Sequence, residues 1–405
     1  MARILYLTQV LPYPLNTGAR VRQYYTLRHL SQQHSVSLVS FVRDDDRPEH
    51  IAHLRTICQT VHTVPMVRSR WRDAQAVITG TLTRQPFVIA RDDVQSMNHL
   101  LARLMASERF DIIHADQVSM SRYGLQGRGL KRVLDLHNAM YLVTDRLAAN
   151  EPNPIKRLVL RRETTALARY EAELCRKYDQ VVFVTDEDHR AIARQIDRFK
   201  VSVKSDRFTT IPICSDPAEK LPVKPIERPF RVTALGVMFW PPNAEGVEWF
   251  AHEIWPQVRQ KFPEACLTVV GKNPPEGLTA LNGSNNIEVT GFVPDLDRIL
   301  AETAVFIVPL RAGGGMRVKI LDTWCWGLPI VSTSIGAEGI NIRDGENILI
   351  ADTATAFGQA VERVLAQPEF AASLRVNGRR WVEQEYDWRR VYAKWDQVYK
   401  QALAA

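Results

Sequence analysis

The sequence predicts an α/β protein made of two Rossmann-like, doubly wound domains facing each other across a cleft. Three observations carry this expectation. The chain has 405 residues, more than one hydrophobic core usually supports. Short, nearly continuous apolar runs alternate with helical segments, as strands buried on both faces of a parallel sheet do. The alternation stops at a proline-rich stretch and then restarts.

In the first half, Arg3 to Thr8 is an apolar run, followed by a loop with Pro12, Pro14 and Gly18 and a helix over about 19–33. Strands are then expected at 36–42, 60–65, 110–114, 132–136, 179–184 and 208–211. These make residues 1–216 the first domain. Pro217, Pro222, Pro225 and Pro229 lie among charges without periodicity, so 217–229 reads as a linker. The second domain, 230–384, has strands at 231–236, 266–271, 287–290, 305–309, 329–332 and 347–351, with helices over about 243–261 and 316–326. From Thr353 onwards the chain reads as helical, and a terminal helix over 385–405 can cross back to the first domain.

Composition narrows the class. A hydrophobic fraction of 45% and a charged fraction of 24% are those of a globular protein and exclude collagen-like, coiled-coil or disordered chains. The five cysteines form no C-x-x-C pair, which argues against a disulfide framework or a zinc site and favours a reducing compartment. No run approaches the length of a membrane span, and the start lacks a signal-peptide core, so a cytoplasmic protein is expected. Charge is uneven: residues 1–200 carry 30 Lys and Arg against 21 Asp and Glu, and residues 201–405 carry 22 against 24. Arg68, Arg70, Trp71 and Arg72 interleave cations with an aromatic, and Lys156, Arg157, Arg161 and Arg162 lie among Ile155, Leu158, Val159 and Leu160. Such stretches are either solvated faces or peripheral contacts with an anionic membrane. No nucleic-acid recognition motif accompanies the basic pI of about 9.2.

The segment richest in chemistry runs from Val308 to Pro329. An apolar strand leads into Gly313, Gly314 and Gly315, and a helix starting near Met316 follows at once. Amides of a glycine loop at a helix N-terminus form an anion seat, and Arg317 and Lys319 in the first turn suit a phosphate or diphosphate. Asp322, five residues along, is either a solvated helix carboxylate or an acceptor for two vicinal hydroxyls such as those of a ribose.

Here the sequence resembles the GT-B glycosyltransferases, specifically the retaining family four (glycosyltransferase group 1), which contains sucrose and glycogen synthases and many bacterial cell-envelope and polysaccharide transferases. Gly327-Leu328-Pro329 fits the family turn, Asp322 stands at the second of two family glutamates, and Gly314 stands at the first. Gly236 to Asn243, Gly271-Lys272 and Gly291 to Pro294 look like the family's nucleotide-domain loops in order. The resemblance therefore implies donor contacts at Gly18, Gly236, Asn243, Gly271, Lys272, Val293, Gly313, Gly314, Gly315, Met316 and Asp322. It places His137 near the donor sugar; by composition alone this is a buried, hydrogen-bonded histidine. Many relatives carry an arginine and a lysine after the first strand of this domain, where Val237, Phe239 and Trp240 stand here. Arg317 and Lys319 are expected to take over the diphosphate charge, with Arg20, His114 and Asp116 on the acceptor side.

The implied activity is hexosyl transfer from a UDP- or GDP-type sugar donor to a glycan, lipid-linked or small-molecule acceptor, with retention and without a cofactor or metal. Asp44-Asp45-Asp46 is set aside as a metal motif because it lies in a polar loop after an early strand. A sugar-nucleotide epimerase and a catalytically weak sugar-nucleotide-binding subunit are the alternatives.

Overall fold

The computed structural model describes residues 1–404 except 67–72, 74, 75, 77, 78, 81, 82, 84, 225 and 227–229. The basic-aromatic stretch at Arg68 to Arg72 lies outside the described residues. The chain divides into two compact units, Met1–Ile213 with Arg389–Ala405, and Cys214–Trp388.

The first unit holds a seven-stranded parallel sheet in the order β3-β2-β1-β4-β5-β6-β7. The strands are β1 (Arg3–Thr8), β2 (Ser35–Val42), β3 (Thr60–Pro65), β4 (Ile112–Asp116), β5 (Lys131–Leu136), β6 (Gln180–Phe183) and β7 (Phe208–Thr210). β1 lies in the middle, which is why Ile4 to Leu7 is apolar on both faces and wholly buried. Sequence neighbours run outward from β1 on one side and from β4 on the other, so the carboxyl ends of these two strands mark the switch point where such sheets bind ligands. Helix α1 (Gly18–Leu30) starts there, capped by Thr17, whose hydroxyl accepts from Arg20 N at 3.4 Å. It buries Arg20, Arg22 and Gln23 as well as Val21, Leu27 and Leu30, because part of it packs over a polar cluster. Helix α2 (Pro154–Lys177), capped by Asn153, buries only its second half, from Leu167 to Cys175.

The second unit holds six parallel strands in the order β10-β9-β8-β11-β12-β13. They are β8 (Arg231–Leu235), β9 (Cys266–Val270), β10 (Ile287–Gly291), β11 (Thr303–Val308), β12 (Ile330–Ser332) and β13 (Leu349–Ile350). Its switch point lies between β8 and β11. Helix α3 (Pro241–Trp249) follows β8 and helix α4 (Val318–Cys325) follows β11, while α5 (Pro368–Glu385) packs Gly378 against the Trp324 indole.

The stretch expected as a linker is held down on the second unit. Arg379 donates to the carbonyls of Pro217 and Lys220, both at 2.7 Å, and Val223 N donates to Trp326 O at 3.0 Å. A proline-rich strand has carbonyls but few N–H groups, so a guanidinium fork on α5 meets its needs. The terminal helix α6 (Lys394–Ala404) belongs to the first unit and buries Trp395, Val398, Tyr399 and Ala402. No helix among the described residues is long and apolar enough to cross a membrane.

Candidate functional site

In the second unit four of the residues expected from the sequence, Gly236, Asn243, Gly271 and Lys319, meet at the end of β8. A Cβ on Gly271 would overlap the carbonyl oxygen of Gly236, so only glycine lets the ends of β8 and β9 close up. In the first turn of α3, the Asn243 amide donates to Val237 O at 2.9 Å, and its oxygen accepts from Lys319 Nζ at 3.0 Å. A Cβ on Gly236 would lie 2.8 Å from the same ammonium. Lys319 therefore reaches from α4 across to the end of β8. Burial, and then the charge of Arg317, lower its pKa to about 7. A cation kept short of solvent at a helix start is favourable to a bound anion.

The glycine loop has the backbone its sequence predicts. Gly313 (φ 132°) and Gly315 (φ 76°) occupy the left-handed side that other residues avoid. Arg317 differs from expectation: it caps α4 from outside the helix, and Nη1 turns back onto the carbonyls of Gly314, at 2.5 Å, and Gly315. Its guanidinium braces the loop, because glycine carbonyls with no side chains beside them accept it readily. Met316 is buried beneath the loop, Val293 is half-buried, and the exposed Lys272 sets its ammonium 5.8 Å from the centre of the Phe292 ring.

Asp322 is bound from a side the sequence does not reveal. Its Oδ1 accepts from Ser215 Oγ at 2.8 Å and from Nζ of Lys220, whose carbonyl is one of those held by Arg379.

The first unit has its own polar cluster at the ends of β4 and β5. Arg22 donates through Nε and Nη2 to the two oxygens of Asp135, at 2.7 and 2.6 Å, and through Nη1 to Ile211 O at 2.7 Å. His137 sets Nε2 2.8 Å from Asp116 Oδ1 and 3.6 Å from Asp135 Oδ2. Burial works against a charged His137, but the Asp116 carboxylate outweighs it and raises the pKa to about 9. Two carboxylates thus face one guanidinium and one imidazolium, and the charges balance. His114, Asp116 and Asp135 bring donor atoms within 4.8 Å of one another, but Arg22 and His137 already occupy the carboxylates.

The acceptor-side expectations need correction. His114 is fully buried, with Nδ1 2.6 Å from Tyr399 Oη of α6, and burial lowers its pKa to about 3. Asp116 is equally buried and receives Gln23 Nε2 at 2.5 Å. Arg20 lies inside, paired with Asp46 at 2.9 Å, which also gives the acidic triplet a structural role. Tyr399 of α6 covers His114, and Gln23 of α1 covers Asp116. Gly18 opens α1.

Several partners are absent from the sequence reading. Asp135 and His137 share a strand face by simple alternation, a signal available in Leu134 to His137. Glu171 and Asp188 carried no such signal. Met140 N and Tyr141 N donate to Glu171 at 2.8 and 3.0 Å, and Ala139 N donates to Asp188 at 2.8 Å, so two buried carboxylates clamp the backbone that follows His137. Burial pushes the Glu171 carboxyl up to about 8, against the pull of those amides.

Comparison with known proteins agrees with this architecture. Residues 229–367 match the family model described as Glycosyl transferases group 1. An uncharacterized 44.6 kDa protein of the cps region of Klebsiella pneumoniae is 21% identical over 97% of this chain and 98% of its own. Sucrose-phosphate synthase from Thermosynechococcus elongatus superposes with a TM-score of 0.71 at 17% identity, covering 99% of both chains. The Anabaena protein Alr3699/HepE, solved in complex with UDP-glucose, superposes with a TM-score of 0.65 at 13% identity over 100% of both chains. Residues 229–367 of the second unit are thus similar to a group 1 glycosyltransferase domain, and the chain's two parallel-sheet α/β units have the GT-B fold of the solved glycosyltransferases.

Proposed function

We propose that the chain is a retaining hexosyltransferase that uses a nucleoside diphosphate sugar, of UDP or GDP type, and a glycan, lipid-linked or small-molecule acceptor. The observation that carries this is Lys319, with its ammonium held at Asn243 and Gly236 beside the glycine loop. The donor's C1–O bond to the diphosphate breaks, the acceptor oxygen bonds to C1 on the same face, and the acceptor proton passes to the departing phosphate oxygen. Lys319 and the amides at the start of α4 stabilise the charge growing on the diphosphate, an effect worth about 10²–10³ in turnover when one such donor is removed. Asp322 offers its carboxylate to the ribose hydroxyls. His137 takes the role that the family resemblance gives it, a fixed cation for the donor sugar, and the reading asks for no metal at the diphosphate.

A thermal-shift screen of UDP, GDP and their sugars tests the reading, since a ligand stabilises according to its concentration over its Kd. One nucleotide series should raise Tm in the native protein and fail to do so in Lys319→Met. No response to any nucleoside diphosphate would sink the proposal. Gly314, in place of the first family glutamate, favours a second reading, a sugar-nucleotide-binding subunit; binding without donor hydrolysis or transfer would select it.

Membrane contact at the first unit belongs to the same reading. Ile155, Leu158 and Val159 on the first turns of α2 are 74%, 70% and 59% exposed, among Lys156, Arg157, Arg161 and Arg162. Co-sedimentation with anionic vesicles should be salt-sensitive and lost in the Ile155→Ser/Leu158→Ser variant.

A further inference from the structure

β4 ends at Asp116, and its ladder with β5 pairs Asp116 with Asp135. The next residue, Gln117, adds one more rung by donating its N–H to Asp135 O at 2.8 Å, and a 3₁₀ turn over Val118–Met120 begins immediately. One residue must therefore both hold the ladder and redirect the chain. It does so at φ 70° and ψ 159°, a region that is essentially reserved for glycine. Other non-glycine residues with positive φ in the described chain are Lys200, Asn273, Asn285 and Asn286, all near the ordinary left-handed helical φ. If the turn alone mattered, glycine would make it without cost. A glutamine needs a reason in its side chain, and that side chain ends 3.1 Å from His137 Nδ1.

We infer that Gln117 is a positioning residue, kept in a strained backbone conformation so that its amide anchors the second ring nitrogen of His137 while Asp116 anchors the first. The groups facing His137 are Asp116 and Gln117 from the end of β4 and Asp135 from β5, with Arg22 and Gln23 of α1 and Tyr6 of β1 behind the carboxylates. As an imidazolium, His137 donates from both nitrogens. Nε2–H goes to Asp116 Oδ1, and Nδ1–H goes to Gln117 with its amide turned so that Oε1 takes the place of the Nε2 that lies 3.1 Å away, the two ends of an amide having the same shape. The ring is then fixed at both ends as a cation, unable to act as a base.

The kinetic part rests on the glycosyltransferase reading; the spectroscopic and thermal parts do not. Gln117→Gly removes the strain and the amide together. It should leave Tm at or up to roughly 4 °C above that of the native protein. In an NMR titration its His137 pKa should fall by about one unit, because a hydrogen bond to the charged form is lost. The variant's kcat should drop roughly 10- to 100-fold, as small losses of orientation do, with donor KM within about twofold. Gln117→Glu keeps an acceptor at Nδ1 and should restore the high pKa and most of kcat. A Gln117→Gly protein with native His137 pKa, or with Tm lowered by more than about 4 °C, overturns the assignment. Native kcat in that variant also overturns it. If the native protein neither transfers nor hydrolyses any donor, the functional reading fails, and the pKa and Tm results still decide the role of Gln117.

Discussion

Arg22 and Asp135 form a two-pronged ion pair, at 2.7 and 2.6 Å, in which neither side chain meets solvent. The Arg22 guanidinium also lies 5.5 Å from the centre of the Trp395 ring of α6. Removing one partner leaves the other charge buried and uncompensated. Arg22→Leu should therefore cost about 3–5 kcal/mol in urea unfolding of the first unit. A loss below about 1 kcal/mol would contradict the account of the cluster.

His137 makes that stability depend on pH. Its folded pKa, raised to about 9, lies above the unfolded value near 6.5. The stabilisation is thus fully present below pH 6.5 and lost as pH rises through about 9, and it amounts to roughly 3 kcal/mol. Chemical denaturation between pH 6.5 and 9.5 should show the decline, and His137→Gln should flatten it. An unchanged slope in the variant would place the titration elsewhere.

Lys319 links donor binding to protons. With a pKa lowered to about 7, it is largely neutral at pH 8 in the free protein, whereas a bound diphosphate favours the ammonium. Calorimetry at pH 8 in buffers of different ionisation enthalpy should report uptake of up to one proton per nucleotide. Affinity should weaken by at most tenfold per pH unit above 7. Lys319→Met should abolish the uptake and reduce affinity by about 10- to 100-fold. Binding without proton uptake would remove Lys319 from the seat.

Gly271 is a purely steric test. An alanine there would drive Cβ into the backbone carbonyl of Gly236, which no rotamer change relieves. Gly271→Ala should destabilise the second unit by about 1–3 kcal/mol and, by displacing the end of β8, weaken nucleotide binding. Native stability and native binding together would show that the two strand ends are not in contact.

Much of the fold is legible in the sequence, and the reasons are local. The strands from Arg3–Thr8 to Leu349–Ile350 coincide, within two residues or so, with apolar runs bounded by polar or glycine-rich sequence. A strand covered by helices on both faces has no polar side to interrupt its pattern. The glycine loop and the start of α4 are equally legible, since positive φ at Gly313 and Gly315 requires glycine. The type and spacing of Arg317 are legible too, whereas its contact with the carbonyls of Gly314 and Gly315 is not, because a long side chain has several rotamers open to it.

What the chain determines by itself is therefore periodicity, glycine conformations and the order of elements. Only the tertiary structure decides the pairings. The Arg22 contact with Asp135, the Tyr399 contact with His114, and the Glu171 and Asp188 clamps on residues 139–141 join groups that are remote in sequence. They meet because the strand order sets β1 beside β4 although about a hundred residues separate them. A charge has no periodicity that names its partner, and its partner is fixed only when burial removes water as the alternative.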